Sequence, residues 1–360
     1  MTDQPKTARR FAAEEGRRFI GRAFHALGLP EADADAVAEA MLFADLRGVD
    51  SHGIVRLPGY LKRVRAGGIN PRPRIHVARE AAATALVDGD NGMGHLVMRY
   101  AARVAMEKAE QNGVAWVGTR GSNHAGAAAC YAMMPLARDM IGLYLAVANN
   151  NHMAPWGGIE PLLGTNPIAI AVPTLEEPPI VLDIATTAIS FGRIRNAADA
   201  GERLAEGLVM DYDGKPVTDS NKASHGLLLP IGDYKGFGLS LMFSLLGGVL
   251  NGTATGRDTV SLEDDRAPGN TGQAIMALKL ANFGAVEEFK RRTDKVARDI
   301  RSSKPMPGVR EVRYPGLNAH RTETERRERG IPIRAAFIAA LDKLAGELGI
   351  APLAAMKEDA

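Results

Sequence analysis

Two apolar runs, IAIAVPT (168–174) and IVLDIA (180–185), are separated only by LEEPP (175–179). Each run is short and strand-like. Parallel strands need a crossover of a dozen or more residues, so this link makes the pair an antiparallel hairpin. The spacing argues against an all-parallel, doubly wound sheet.

Working outward, further strand-like runs lie at 84–88, 114–118, 141–148 and 274–283. Asp213-Gly214, between VMDY (209–212) and KPV (215–217), is a second hairpin signal. Helical patterns fall at 95–111, 125–138, 236–250 and 286–302. Three more open the chain. The first carries Phe11, Phe19, Ile20, Ala23, Phe24 and Leu27 on a stripe and stops at Gly28. The second has Pro30 and acids 31, 33 and 35 at its start and ends near Gly48. The third carries Leu57, Leu61 and Val64, with Pro58 in its first turn. A final helix lines up Ile333, Phe337, Leu341, Leu344 and Leu348. The expected fold class is α+β: a largely antiparallel, non-Rossmann sheet with helices at 76–317, and a helical domain built from both termini, 1–75 and 318–360.

Composition narrows the function classes. With 46% hydrophobic and 24% charged residues over 360 positions, the chain reads as globular with two or three domains. A net charge of +2 gives no case for nucleic acid. The run ETERRERG (323–330) reads as a solvated face. The only cysteine, Cys130, forbids an intrachain disulfide, suits a cytoplasmic compartment, and sits among alanines as a small buried residue. The charged N-terminus has no signal-peptide pattern. The longest apolar run, Phe237 to Leu250, falls short of the roughly 20 residues a membrane helix needs and reads as a buried core helix.

Several motifs are missing. Neither Gly-x-Gly-x-x-Gly nor a Gly-x-x-x-x-Gly-Lys-Ser/Thr loop occurs, and the histidines are scattered singly, so no metal site is expected. RGVDSHGIVR (47–56) places Ser51, His52 and Arg56 beside a helix start. A histidine can supply a proton to a carbonyl oxygen, and arginine matches a carboxylate with two parallel hydrogen bonds. The same residues also fit a helix cap and a solvated cation. GTRGSNHAG (118–126) is a strand-to-helix loop presenting His124 and backbone N–H groups. Asn149, Asn150, Asn151, His152, Thr165 and Asn166 supply either ligand contacts or tight turns, with turns favoured for most. Asp183 ends an apolar strand, where it suits a ribose, a histidine or a structural base. Lys235 opens an apolar helix, facing either a phosphate or water.

Seven ordered blocks together resemble the malate/L-lactate dehydrogenase-like oxidoreductase family: RGVDSHGIVRLPGY (47–60), GSNHAG (121–126), LLGTNPIAIAVPT (162–174), IVLDIATT (180–187), DYKGFGLSLM (233–242), YPGL (314–317) and GIPI (330–333). The resemblance implies NAD or NADP as cofactor and a two-electron reaction on a carbonyl or imine beside a carboxylate. It implies catalytic roles for His52 and His124, either of which is the proton donor. Substrate contacts are implied at Ser51, Arg56 and Thr165. His124, Asp183, Ile184, Ala185, Lys235, Pro315 and Gly316 would meet the dinucleotide. A small carboxylic-acid substrate, a homodimer, and neither nucleic-acid nor membrane partners are implied. The alternative is a catalytically silent nucleotide-binding homologue. Two positions depart from the pattern. Leu317 stands where the family usually has Glu, and Arg193-Ile194-Arg195 replaces a lysine and a Pro-rich stretch.

Overall fold

Residues 8–354 are described by a computed structural model; residues 1–7, part of the charged N-terminal stretch, and 355–360 lie outside the described residues. The chain opens with β1 (Ala8–Phe11), α1 (Ala13–His25), α2 (Glu31–Leu46) and α3 (Leu57–Ala66). Acids in the first turns of α1 and α2 face the positive ends of the helix dipoles. Gly67, left-handed at φ 85°, ends α3. Phe11 is not on the first helix stripe: it closes β1, because Ala12 is extended and the helix starts at Ala13.

The hairpin β2 (His76–Glu80) and β3 (Thr84–Gly92) leads into α4 (Gly94–Asn112), which carries the chain to β4 (Val114–Ser122), parallel to β3. After the short α5 (Ala129–Ala132) come β5 (Met140–Ala146), β6 (Ile168–Val172) and β7 (Ile180–Ile184). Next are α6 (Phe191–Ala200), β8 (Val209–Met210), α7 (Ser220–Ala223), β9 (Leu227–Leu228) and α8 (Tyr234–Gly247). The chain finishes with β10 (Gln273–Lys279), α9 (Val286–Ser302), α10 (Leu317–Arg329), β11 (Ile331–Arg334) and α11 (Ala335–Leu348).

Seven strands form one sheet in the order β2-β3-β4-β10-β5-β6-β7, and β3–β4 is its one parallel pair. The architecture is mixed α/β around a mostly antiparallel sheet. The LEEPP hairpin is present, with Ile168 opposite Ile184 and Val172 opposite Ile180. Its tight link is held by the buried carboxylate of Asp294 on α9, which accepts the N–H groups of Leu175, Glu176 and Glu177. This leaves β7 as the last strand of the sheet.

β1 pairs antiparallel with β11, Ala8 opposite Arg334 and Phe11 opposite Ile331. One apolar cluster accordingly joins Phe11, Phe19, Ile20, Phe24 and Met41 to Ile331, Leu341 and Leu353. Each such side chain contributes roughly 1.5–3 kcal/mol when buried. A second cluster packs α4 and the 125–132 segment on the sheet.

Three expectations are corrected and one holds. The Phe237–Leu250 run is not a buried core helix: only Gly236, Ser240, Phe243, Ser244 and Gly247 of α8 are buried, while Leu239, Leu241, Met242 (50% exposed), Leu245 and Leu250 (63%) face outward. Its apolar side chains run all round, whereas one flank alone meets the sheet. Segment 125–138 is not one helix, since α5 gives way at Met133 to a 3-10 turn over Met134–Arg138 with Pro135 near its start. The Asp213-Gly214 hairpin is present: its turn is braced by the Asp211 side chain, Met210 lies antiparallel to Pro216, and the Asp211 and Val217 N–H groups donate to the Lys215 and Val209 carbonyls, while the other side of β8 pairs with β9. Finally, ETERRERG is not wholly solvated: Arg326 is buried.

Candidate active site

Between α2 and α3 the chain makes two short 3-10 turns, Asp50–His52 and Ile54–Arg56. The buried Asp45 carboxylate causes this, accepting the Ile54 N–H at 2.8 Å. Gly53 is pressed against it so closely that a Cβ would stand 1.8 Å from Asp45 Oδ1. Helix α3 therefore does not extend back to His52, so His52 and Arg56 do not share a helix face. Arg56, itself exposed, instead folds back on the turn, its Nε donating to the Ser51 carbonyl at 2.7 Å, while Ser51 Oγ lies 2.9 Å from His52 Nδ1.

The β4–α5 loop delivers His124 to the same place. The His52 and His124 rings stack with centroids 5.5 Å apart. Two residues complete the cluster. The Tyr60 hydroxyl from α3 lies 2.5 Å from His124 Nδ1, and the Gly126 N–H points at that nitrogen from 3.3 Å. An N–H donor requires Nδ1 to carry its lone pair, so Tyr60 also donates and the ring proton resides on Nε2. His95, from the first turn of α4, meets Tyr60 edge-on at 5.4 Å. It is buried, and neither of its ring nitrogens has a hydrogen-bond partner among the described residues.

Burial shapes the electrostatics here. It pushes His52 down to about 4 and His95 to about 3, and holds His124 well below the usual histidine range. The positive charge of Arg56 adds to the depression of His52, and that of His52 and Arg56 to the depression of His124. Burial also raises the Tyr60 phenol. At neutral pH the cluster holds neutral imidazoles beside a guanidinium that has no carboxylate partner among the described residues.

A second group gathers at the β7 edge. Asp183 Oδ2 accepts the Ala129 N–H at 3.0 Å, tying the edge to the segment that follows His124; crowding by the protein raises this carboxyl. Ile184 is exposed beside it. The Thr165 carbonyl accepts both the N–H and the hydroxyl of Thr186, so Thr165 lies with the β7 group. Lys235 is exposed at the start of α8, without an ion pair among the described residues, and its neighbour Gly236 packs on Ile231 and Thr186. Pro315 accepts the Val181 N–H at 3.0 Å, and Gly316, at φ 93°, packs on Val181. The start of α6 reaches the first group, since a Cβ at Gly192 would lie 3.2 Å from Ser51 Cβ.

Ser51, His52, Arg56 and His124 thus come together, and Asp183, Ile184, Ala185, Lys235, Pro315 and Gly316 surround one strand. Tyr60 and His95 were missed. Tyr60 carried a faint signal, four residues beyond Arg56 in the same motif; His95, alone in an apolar helix, carried none. The asparagines are structural: Asn150 and Asn166 accept backbone N–H groups of Leu262 and Ala148, and Asn149 bonds Thr271. Cys130 is only partly buried, though its surroundings push the thiol up to about 12. Among the described residues no group of three His, Cys, Asp or Glu is placed to hold a metal ion.

The malate/L-lactate dehydrogenase family profile matches residues 11–342. The chain belongs to the malate/L-lactate dehydrogenase family. It is 38% identical over 341 residues to the L-sulfolactate dehydrogenase of Methanocaldococcus jannaschii, covering 94% of this chain and 96% of that protein. It is 35% identical over 350 residues to the malate dehydrogenase of Pyrococcus abyssi, covering 95% of each. The malate dehydrogenase structure from Pyrococcus horikoshii OT3 superposes with a TM-score of 0.89 at 33% identity, covering 98% of this chain and 100% of that one. As a member of the malate/L-lactate dehydrogenase family, the protein is an oxidoreductase acting on CH–OH or C=N groups, of the kind that interconverts 2-hydroxy and 2-oxo acids.

Proposed function

We propose that this oxidoreductase uses NAD or NADP to reduce the carbonyl of a small 2-oxo acid, or a cyclic imino acid, with His124 as proton donor and Arg56 as carboxylate anchor. The observation that carries this reading is the convergence of Tyr60 and Gly126 on His124 Nδ1 beside the Arg56 guanidinium, which has no carboxylate partner among the described residues. With Nδ1 facing the Tyr60 hydroxyl, Nε2–H is the edge left for a substrate oxygen; as it gives that proton up, Nδ1 takes the Tyr60 proton, so the imidazole stays neutral and the phenol is reprotonated from water.

The β7 edge fits a dinucleotide. Asp183 offers a carboxylate for ribose hydroxyls, Ile184 and Ala185 offer an exposed edge, and Lys235 with the Pro315-Gly316 turn offers a cation and open backbone nearby. A reduced nicotinamide bound there supplies the hydride. The chain's own residues do the rest. Arg56 fixes the substrate carboxylate with a planar pair of donors. Binding of that carboxylate offsets the charge that depresses His52 and His124, so the imidazoles gain proton affinity when substrate arrives. Ser51 and His52 flank His124, the His52 ring stacking on it, and Thr165 ties to the end of β7 through Thr186.

The exposed flank of α8 supports a homodimer, since an apolar face of this extent is normally covered. The single cysteine supports a cytoplasmic setting. The shared cluster of both chain ends supports a helical domain of 1–75 and 318–360 beside a cofactor region of 76–317. Purified protein mixed with NADH or NADPH and a panel of 2-oxo acids and cyclic imines, followed by loss of reduced-nicotinamide absorbance, tests the reading. Failure to bind either nucleotide by calorimetry overturns it.

A further inference from the structure

We propose that Arg326, 276 residues from Asp50 in sequence but brought in by α10, is a positioning residue that sets the Ser51–His52 turn by gripping Asp50. This rests on the reading that those residues face the substrate.

Arg326 is buried, while Arg327 and Arg329 beside it are exposed. A guanidinium leaves water at a steep cost unless its donors are satisfied. Here one nitrogen donates to the Asp45 carbonyl and to one carboxylate oxygen of Asp50, and a second reaches the other oxygen at 3.2 Å. The Asp45 side chain meanwhile accepts the Ile54 N–H. One arginine therefore holds the chain at 45 and 50, and Asp45 carries the hold on to 54; Ser51 and His52 lie in the span so clamped. Two more residues on the same helical face reinforce it. Glu323 pairs with the buried Arg47 at 3.0 Å, and a Cβ at Gly48 would meet the Thr322 methyl at 3.2 Å. A solvated helix face would show none of this.

The fork geometry is what lysine cannot reproduce. Among the described residues Asp50 has no other partner on α10, and its half-exposed side chain packs in none of the apolar clusters. Asp50 is thus the gentle place to cut the link, since Asn keeps its shape and removes the charge.

The test uses the full-length protein with Asp50→Asn, Arg326→Lys and the double variant. Each single change is expected to lower kcat/KM for the 2-oxo acid about tenfold or more, with nucleotide affinity within twofold of the parent. The double variant is expected to be no worse than the weaker single one, the non-additivity of two residues acting as one link. The imidazole nitrogen resonances of His52 should move in Asp50→Asn while those of His95 hold. If Arg326→Lys fails to fold, Asp50→Asn decides alone. An Asp50→Asn enzyme with parental kcat/KM and unmoved His52 resonances overturns the proposal. A parent protein inactive on every 2-oxo acid and imine overturns the underlying reading instead.

Discussion

The Tyr60 hydroxyl and His124 Nδ1, 64 residues apart in sequence, meet at 2.5 Å. Because the Gly126 N–H points at the same nitrogen, the phenol fixes which edge of His124 carries the proton. Tyr60→Phe removes that donor and keeps the packing. We expect kcat for reduction to fall about 10- to 100-fold with KM little changed, within the range of acid–base contributions. Nitrogen NMR of His124 should show the loss of a pure Nε2–H form. Unchanged kcat and an unchanged tautomer would refute the assignment.

Arg56 is predicted to couple substrate charge to proton affinity. Its positive charge disfavours imidazolium at His52 and His124, so a bound carboxylate raises both. Reduction consumes a proton of the Tyr60–His124 pair and slows as pH rises through the pair's pKa, which the Arg56 charge lowers. The alkaline fall in kcat, which reports the substrate complex, should therefore lie at higher pH than the fall in kcat/KM, which reports the free enzyme. Arg56→Gln should raise KM by about 10- to 100-fold, the loss of a charged hydrogen-bonded pair. Coincident limbs in the parent pH profiles would contradict the coupling.

His95 is predicted to make the fold acid-sensitive. Unfolded, it takes a proton below its ordinary value of 6.5; folded, it stays neutral down to about 3. The unfolded state thus binds more protons between those values, and stability is lost as pH drops, by up to about 1.4 kcal/mol for each unit of acidification. Above 6.5 this loss vanishes. His95→Leu, which also removes two unpartnered nitrogens, should raise the melting temperature more at pH 5 than at pH 8. Equal shifts at both would count against it.

Helix α8 is predicted to be covered by a second copy. Met242→Glu with Leu245→Glu places two charges on its outer flank, where neither side chain is buried in the single chain. Sedimentation should then show the monomer, with far-ultraviolet circular dichroism unchanged. A monomeric parent would remove the premise.

The sheet was legible where spacing is a local constraint. Residues 175–179 could join only antiparallel neighbours, and the histidine motifs lay on the loops expected of them. What stayed hidden depends on distant chain. Leu239 and Met242 look as buried by composition as Phe243, since hydrophobicity does not say which flank the sheet covers. Arg326 is indistinguishable by pattern from Arg327, and its burial follows from Asp50, far back in the sequence. The β1–β11 pairing leaves no local trace, because its register is set by residues more than three hundred positions apart.

That pairing bears on how the protein is made. Phe11, Phe19 and Phe24 cannot finish their packing until Ile331 and Leu341 exist. During synthesis the first three helices leave the ribosome with an open greasy face, while the central sheet has nearly all of its strands before the last helices appear. A nascent chain of this protein should therefore be held longest by chaperones at its beginning, although that end emerges first.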